Sequence, residues 1–271
     1  MASQIAPSQT RNYCEHALTL ETLPILYRDE FLVAVHKPSG LLVHRSDIDR
    51  HETRFALQIV RDQLGCKVYS VHRLDKGTSG VLLFALQPEV GRALTAQFEA
   101  QTVSKIYLAV VRGHPPESGV IDHPLTRIRD DYEWSGKDME SEVQAAVTRY
   151  RRLATAECDV SVDKYPTSRY ALVELDPLTG RRHQLRRHLK HISHPIIGDS
   201  TYGKGRHNRF FQQAFGCQRM LLASASLALT HPATGQPLTL IAPLADDFMN
   251  VLTALDMHRA VPTLYLTETL C

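Results

Sequence analysis

The sequence predicts an α+β domain, with strands joined as hairpins and helices kept apart from them. Residues 25–44, ILYRDEFLVAVHKPSGLLVH, give two strand-like runs about a turn at Lys37-Pro38-Ser39-Gly40. Residues 227–244, LALTHPATGQPLTLIAPL, give two more about a glycine turn. Between them, residues 54–64, 89–103 and 181–193 carry apolar side chains at helical spacing.

At 271 residues the chain is long enough for a substantial core. Its 43% apolar and 22% charged residues are those of an ordinary globule, which disfavours a disordered or fibrous chain. A net charge of +2 does not announce a polyanion partner, so local charge has to be examined. Cys14, Cys66, Cys158, Cys217 and Cys271 are scattered, with no CxxC or Cys/His ligand spacing. With no signal-peptide pattern, this fits a reducing cytoplasm and gives no metal site. No apolar run approaches the length of a membrane helix, so no membrane span is expected.

Residues 1–23 are polar and without period, and read as a mobile extension ahead of a domain spanning 24–245. In 54–64, Phe55, Ile59 and Val60 lie near one helical face. In 89–103, Val90, Leu94 and Phe98 recur at four-residue steps. Lys105 to Val111 reads as a strand closed by Gly113. Residues 127–142 are acid-rich and hold the only Trp, as a surface loop beside a cleft would. Strands are expected at 145–153 and 168–176, a helix over 246–257, and an unassigned tail over 258–271. No internal repeat, GxGxxG fingerprint, HExxH or serine elbow occurs.

Two stretches carry candidate chemistry. In SVHRLDKGTSGVLLFAL (70–86), two apolar pieces flank a polar loop, and Asp75 has Arg73 and Lys76 on either side. A carboxylate among cations stays ionised, which suits a nucleophile or cation partner better than a proton donor. The ordinary alternative is a turn Asp bonding its own loop. In TGRRHQLRRHLKHISHPIIGD (179–199), Arg181 to His191 hold five Lys/Arg and three His with no acid. Leu185, Leu189 and Ile192 form an apolar stripe on the same helix. A lone cationic run is usually a solvated face, but a helix with one buried side can present its guanidiniums to phosphates.

HRLDKGTSG resembles the catalytic loop of the RluA family of pseudouridine synthases. KIYLAVVRG (105–113) resembles that family's K-x-Y-x-A-x-V-x-G signature, and GRRHQLRRH (180–188) its GRxHQLRxH motif. Lys37, Pro38, Gly40 and His44 match its KPxGxxVH motif, to which mainly structural roles attach. The resemblance covers roughly residues 25–245 in the right motif order. Where many relatives read Leu-His-Ala, this chain has Leu222-Ala223-Ser224.

The resemblance implies the pseudouridine synthase fold: a mixed, mostly antiparallel, bent sheet with a central RNA-binding cleft flanked by helices. It implies that Asp75 is the catalytic carboxylate, that Arg186 pairs with it, and that Tyr107 stacks on the flipped uracil and helps remove its C5 proton. As a two-member pair, Asp75 and Arg186 removed together would leave no lone charge. Arg73, Lys76, Arg181, Arg182, His183, Arg187 and Lys190 become candidate RNA contacts. No metal, cofactor or obligate protein partner is implied.

Within the family, VHRSDIDR (43–50), YPTSRYALVELDPLTGRRHQLRRHL (165–189) and Asn208-Arg209 are most similar to a branch acting on uridine 65 of tRNA. The N-terminal stretch is too short for the S4-type RNA-binding domain of many members, which leaves RNA binding to the catalytic domain. A ribosomal RNA uridine is the alternative substrate. A catalytically idle RNA-binding protein would be expected to lack the Asp, Tyr or Arg. A metal-dependent hydrolase would need further acids beside Asp75, and these motifs offer none.

Overall fold

The structure, a computed structural model, describes residues 21–45, 51–128 and 142–266. The strands are β1 (Ile25–Arg28), β2 (Leu32–Lys37), β3 (Tyr69–Ser70), β4 (Ser79–Ala85), β5 (Ser104–Arg112), β6 (Ser118–Asp122), β7 (Leu125–Thr126), β8 (Val143–Gln144), β9 (Val147–Cys158), β10 (Ser168–Pro177), β11 (Leu222–Thr230) and β12 (Pro237–Ile241). The helices are α1 (Ala56–Leu64), α2 (Pro88–Glu99), α3 (Gln184–His191), α4 (Gly205–Phe215) and α5 (Asp246–Ala254).

One sheet runs β1-β2-β4-β11-β5-β10-β9-β6, with β3 added to β4 and β12 to β11; β7 and β8 form a separate ribbon. Its pairs are antiparallel except β4–β11, which is parallel and joins only Ser79 and Gly80 to Ala223 and Ser224. This is the expected mixed, mostly antiparallel sheet, and the short parallel contact is where it splits. Beyond Gly80, β4 stays with β2 while β11 stays with β5. Gly80 is required at the seam. Its φ is +109°, and a Cβ there would sit 2.0 Å from the Ser224 carbonyl oxygen.

Every residue of β4 is buried, and Leu32, Val33, Ala34 and Val35 of β2 are too. These strands read as unbroken apolar runs because both faces are covered. On one face α1 places Ile59 and Val60 over Val33, Val35, Leu82 and Phe84. On the same face α3 places Leu185 and Leu189 over Ala109, Val111, Ala171 and Val173. Burying each such leucine stabilises the domain by about 1.5–3 kcal/mol over leaving it exposed. Tyr107 touches both clusters and marks the floor between the helices. The opposite face is closed by α2 and β12 over one half, and by α4 and α5 over the other.

Several expectations shift at their edges. The helix expected over 89–103 ends at Glu99, and Gln101 turns the chain with φ +57°. The helix expected over 181–193 begins at Gln184, because His183 takes a left-handed conformation (φ +57°) and 181–183 form a turn. Leu23, placed in the mobile extension by composition, is buried, with its N–H and C=O bonded to the Gln63 side chain; residues 1–20 lie outside the described residues. Of the tail, Val261 and Tyr265 insert into the core beside α5, and the Leu244 N–H donates to the Tyr265 carbonyl at 3.0 Å. Most of the acid-rich loop, residues 129–141, lies outside the described residues.

Candidate active site

The loop that carries Asp75 enters β4 at the seam. The Thr78 N–H donates to the Asp75 carbonyl at 3.0 Å and closes the turn. The Lys37–Gly40 turn holds that loop by its backbone. Gly40 N–H donates to the Lys76 carbonyl at 2.8 Å, and Ser39 Oγ to the Gly77 carbonyl at 2.7 Å. Lys37, fully buried, donates from Nζ to the carbonyls of Leu41 (2.6 Å), Pro38 (2.9 Å) and Lys76 (3.2 Å). Burial pushes its ammonium down to about 7, the Arg219 charge adds to this, and Asp75 opposes it. The first motif thus has the structural role expected of it.

Asp75 meets α3 through Arg186, whose Nη1 donates to Asp75 Oδ2 at 3.0 Å. The same guanidinium forms a two-point contact with a second carboxylate: Nε to Asp199 Oδ2 at 2.7 Å and Nη2 to Oδ1 at 2.9 Å. Asp199 Oδ1 also accepts the N–H groups of Thr201 (2.8 Å) and Tyr202 (2.9 Å). Burial alone would push the Asp199 carboxyl up, but these hydrogen bonds outweigh it and hold the group below the usual carboxylate range. Burial likewise works against the charge on Arg186, and the two carboxylates overcome it and raise its pKa. Gly198 lets the chain deliver Asp199 here: its φ is +80°, and a Cβ would lie 1.9 Å from the Arg219 carbonyl oxygen.

The expected Asp75–Arg186 pair is therefore one arm of a three-member array, and Asp199 is the member that sequence reasoning did not single out. Its only signal was its place at the end of HPIIGD. The local argument for Asp75 also needs correction. Lys76 forms an ion pair with Glu52 at 2.6 Å, while the cation bonded to Asp75 comes from 111 residues away. Adjacent side chains in a tight turn diverge, so sequence neighbours need not be spatial partners.

His183, expected among the RNA contacts, lies inside the site. Its Nε2 is 3.9 Å from Asp75 Oδ1, and its Nδ1 is 3.0 Å from the Tyr202 hydroxyl. Burial lowers its pKa, with the Asp75 charge opposing, and favours the neutral imidazole. Its left-handed backbone is local strain of about 1–3 kcal/mol, of the kind that gathers at functional sites. Tyr107 lies across the ladder from Ser224. Burial pushes its phenol up to about 12; Ser224 tempers the shift by proximity, although its buried Oγ completes no hydrogen bond, and the Asp75 charge adds to it.

Two cavities meet at Asp75. One, of about 340 Å³, has Tyr107, Arg181 and Lys105 among its walls; the other, of about 590 Å³, opens toward His44 and Thr201. Arg73, Arg182, His183 and Arg186 line both. Arg181 is held by the Ala145 carbonyl at 3.1 Å. Arg187 and Lys190 line neither cavity: Arg187 donates to the Thr126 carbonyl at 2.8 Å, and Lys190 sits 5.6 Å from the Tyr202 ring centre. Gln184 is buried and structural, its amide bonded to Thr179, Thr148, the Val147 carbonyl and the Arg181 N–H. Among the described residues, no three His, Cys, Asp or Glu side chains converge as a metal site.

A family model described as RNA pseudouridylate synthase matches residues 31–191. The chain is 52% identical over 240 residues to the tRNA pseudouridine synthase C of Pectobacterium carotovorum subsp. carotovorum, covering 89% of this chain and 64% of that protein's length. It is 50% identical to the protein of that name from Salmonella typhi (89% of this chain, 92% of the other), and 46% identical to that from Vibrio cholerae (85% and 95%). Among solved structures, human RNA pseudouridylate synthase domain containing 4 superposes with a TM-score of 0.65 at 26% identity, covering 86% of this chain and 93% of that one. Human domain containing 1 gives 0.64 at 27% identity, covering 88% and 89%. The chain belongs to the RNA pseudouridylate synthase family, as its RluA-type motifs imply, and has that family's fold.

Proposed function

We propose that this chain isomerises a uridine of tRNA, at position 65, to pseudouridine, with Asp75 as the catalytic carboxylate. The observation that carries the reading is Asp75 at the meeting of two cavities, oriented through one oxygen by Arg186. The glycosidic N–C bond breaks, the uracil turns over, C5 bonds to the same ribose carbon, the C5 proton is lost and N1 takes up a proton, so that the product is an isomer of the substrate. No electrons enter or leave overall. The base must first leave the stack, since the ribose carbon and C5 are out of reach within it. Arg73, on the lip of both cavities, and Arg182 are placed to meet the splayed backbone.

Asp75 acts at the ribose, by attack at C1′ or by proton removal at C2′; both suit an ionised carboxylate. Arg186 and Asp199 preorganise it before the substrate arrives. Tyr107 offers its ring as a platform for uracil. With its phenol pushed up to about 12, it keeps its proton at neutral pH. Its part in C5 deprotonation is then a relay through the O–H rather than the action of a standing phenolate. This reaction on soluble tRNA belongs in the cytoplasm and calls on no partner chain.

The test is to incubate the protein with unmodified transcripts of tRNA and of ribosomal RNA, with EDTA present, and to map pseudouridine. Product at tRNA position 65 is expected. Product in ribosomal RNA alone would overturn the substrate, and a strict metal requirement would overturn the mechanism.

A further inference from the structure

The smaller cavity runs past Tyr107 into the split between β4 and β11, where Val71, His72, Phe98 and Lys105 line it. Once β4 has left β11, the Leu83 N–H is taken up by a side chain and donates to His72 Nε2 at 3.0 Å. An imidazole nitrogen that accepts a hydrogen bond carries no proton, so the His72 proton is on Nδ1. Burial pushes this imidazole down to about 3, which keeps it neutral, and it stacks on Phe98 at 4.8 Å. Nδ1–H has no acceptor among the described residues and is not among their sealed-off polar atoms.

Lys105 stands two residues before Tyr107 on the same face of β5. It forms no ion pair or hydrogen bond with any described residue, and the Asp176 carboxylate, which acts on it only from a distance, is paired with Arg149 at 3.8 Å. Burial lowers its ammonium pKa, the mark of a cation held without a counter-ion. This end of the cavity offers two donors, with Val71, Phe98 and Pro177 among its apolar walls. Such walls lower the local dielectric and strengthen any charge pairing made there. A backbone phosphate suits both donors, because its oxygens accept hydrogen bonds and its charge pairs with the ammonium.

We propose that Lys105 and His72 form a phosphate subsite, which holds a backbone phosphate next to the flipped nucleotide while Tyr107 carries the base. The subsite rests on the RNA substrate proposed above. It differs from the contacts expected of the α3 cations, because it lies inside the cavity and acts on the strand after it has been opened.

The test measures affinity for an unmodified tRNA transcript across a potassium chloride series, for the wild type, Lys105→Met and Lys105→Arg, together with melting temperature and single-turnover pseudouridine formation at saturating protein. Lys105→Met should bind more weakly and flatten the slope of log K against log salt by about 0.7–0.9, the share of one phosphate. Its single-turnover rate at saturation should change far less than its affinity, and Lys105→Arg should restore the slope. Lys105→Gln replaces the Met variant if that one does not fold. A slope equal to that of the wild type would overturn the subsite, and a loss confined to the single-turnover rate would move Lys105 onto the uracil instead. Wild-type protein that binds tRNA but forms no pseudouridine would overturn the proposed reaction, while the slope comparison would still decide whether Lys105 meets a phosphate.

Discussion

Asp75 and Asp199 share one guanidinium, and their surroundings differ in every way that decides what a carboxylate can do. Asp199 has a wholly buried side chain and accepts from Arg186 Nε and Nη2 and from the N–H groups of Thr201 and Tyr202. Asp75 keeps 22% of its side chain accessible and takes one hydrogen bond from Arg186. Its other oxygen faces His183 at 3.9 Å, beyond hydrogen-bond length. The turn at 199–202 uses a carboxylate as a fastening, with its acceptor capacity occupied. The loop at 75–78 aims its carboxylate through one oxygen and leaves the other available, as the proposed reaction requires. Reactivity here is decided by how many donors the fold assigns to each acid.

The sharpest way to break this contrast is Asp75→Asn, which keeps the shape and removes the charge. Turnover should fall by about 10⁴-fold, at the upper end for loss of a positioned base or nucleophile. Stability should stay within roughly 0.5 kcal/mol, since Arg186 keeps Asp199. Tritium release from uridine labelled at C5 reads the first and urea unfolding the second. Near-normal release would remove Asp75 from the mechanism.

Asp199→Ala should do the reverse. It strips the buried cation of its two-point partner and should cost about 3–5 kcal/mol of stability. Activity should fall because Arg186 no longer holds its place. A variant as stable as the wild type, with turnover alone lost, would make Asp199 more than a fastening.

Double-mutant cycles sharpen the difference further. Coupling between Arg186→Ala and Asp199→Ala should reach about 2–3 kcal/mol, and coupling between Arg186→Ala and Asp75→Asn should stay under about 1 kcal/mol. Had Arg186 and Asp75 been an isolated pair, removing both would leave no lone charge. In this fold the double change leaves Asp199 buried and unpaired, so the pair cannot rescue itself. Equal couplings would contradict the unequal hydrogen bonding.

Acid titration tests the same point. The folded Asp199 carboxyl lies below its unfolded value of about 3.9. Its contribution to stability is therefore complete above that value and is lost as pH falls through the folded pKa. Urea midpoints measured between pH 6 and pH 3 should fall less steeply for Asp199→Asn than for the wild type. Parallel curves would mean that Asp199 is not the proton-linked group. The smallest effect should come from the outer face of α3. Lys190→Ala should lower tRNA affinity slightly and flatten the salt slope by about 0.9 or less. An unchanged slope would return Lys190 to a solvated surface.

Much of this was legible in the chain. The stripe of Leu185 and Leu189 announced α3 and its buried side, because helical periodicity is a local property. The Lys37–Gly40 turn was readable for a similar reason, and its role in holding the Asp75 loop matches the resemblance. The start of α3 was missed because His183 turns left-handed just before it, and nothing in the local run of cations announces that turn. Lys105 and His72 read as ordinary members of a strand and a loop.

The order of elements, the apolar faces and the family motifs were all carried by the chain itself, and the motifs marked Asp75 as the candidate acid. These depend on side-chain chemistry and on periods of a few residues. Only the tertiary structure decided which cation Asp75 meets, that Asp199 holds the other side of that cation, and that the sheet opens beside Tyr107. Hydrogen bonding and Coulomb energy depend on distance through space. The packing of α3 over β5 and β10 sets the distance between Asp75 and Arg186, and no separation along the chain encodes it.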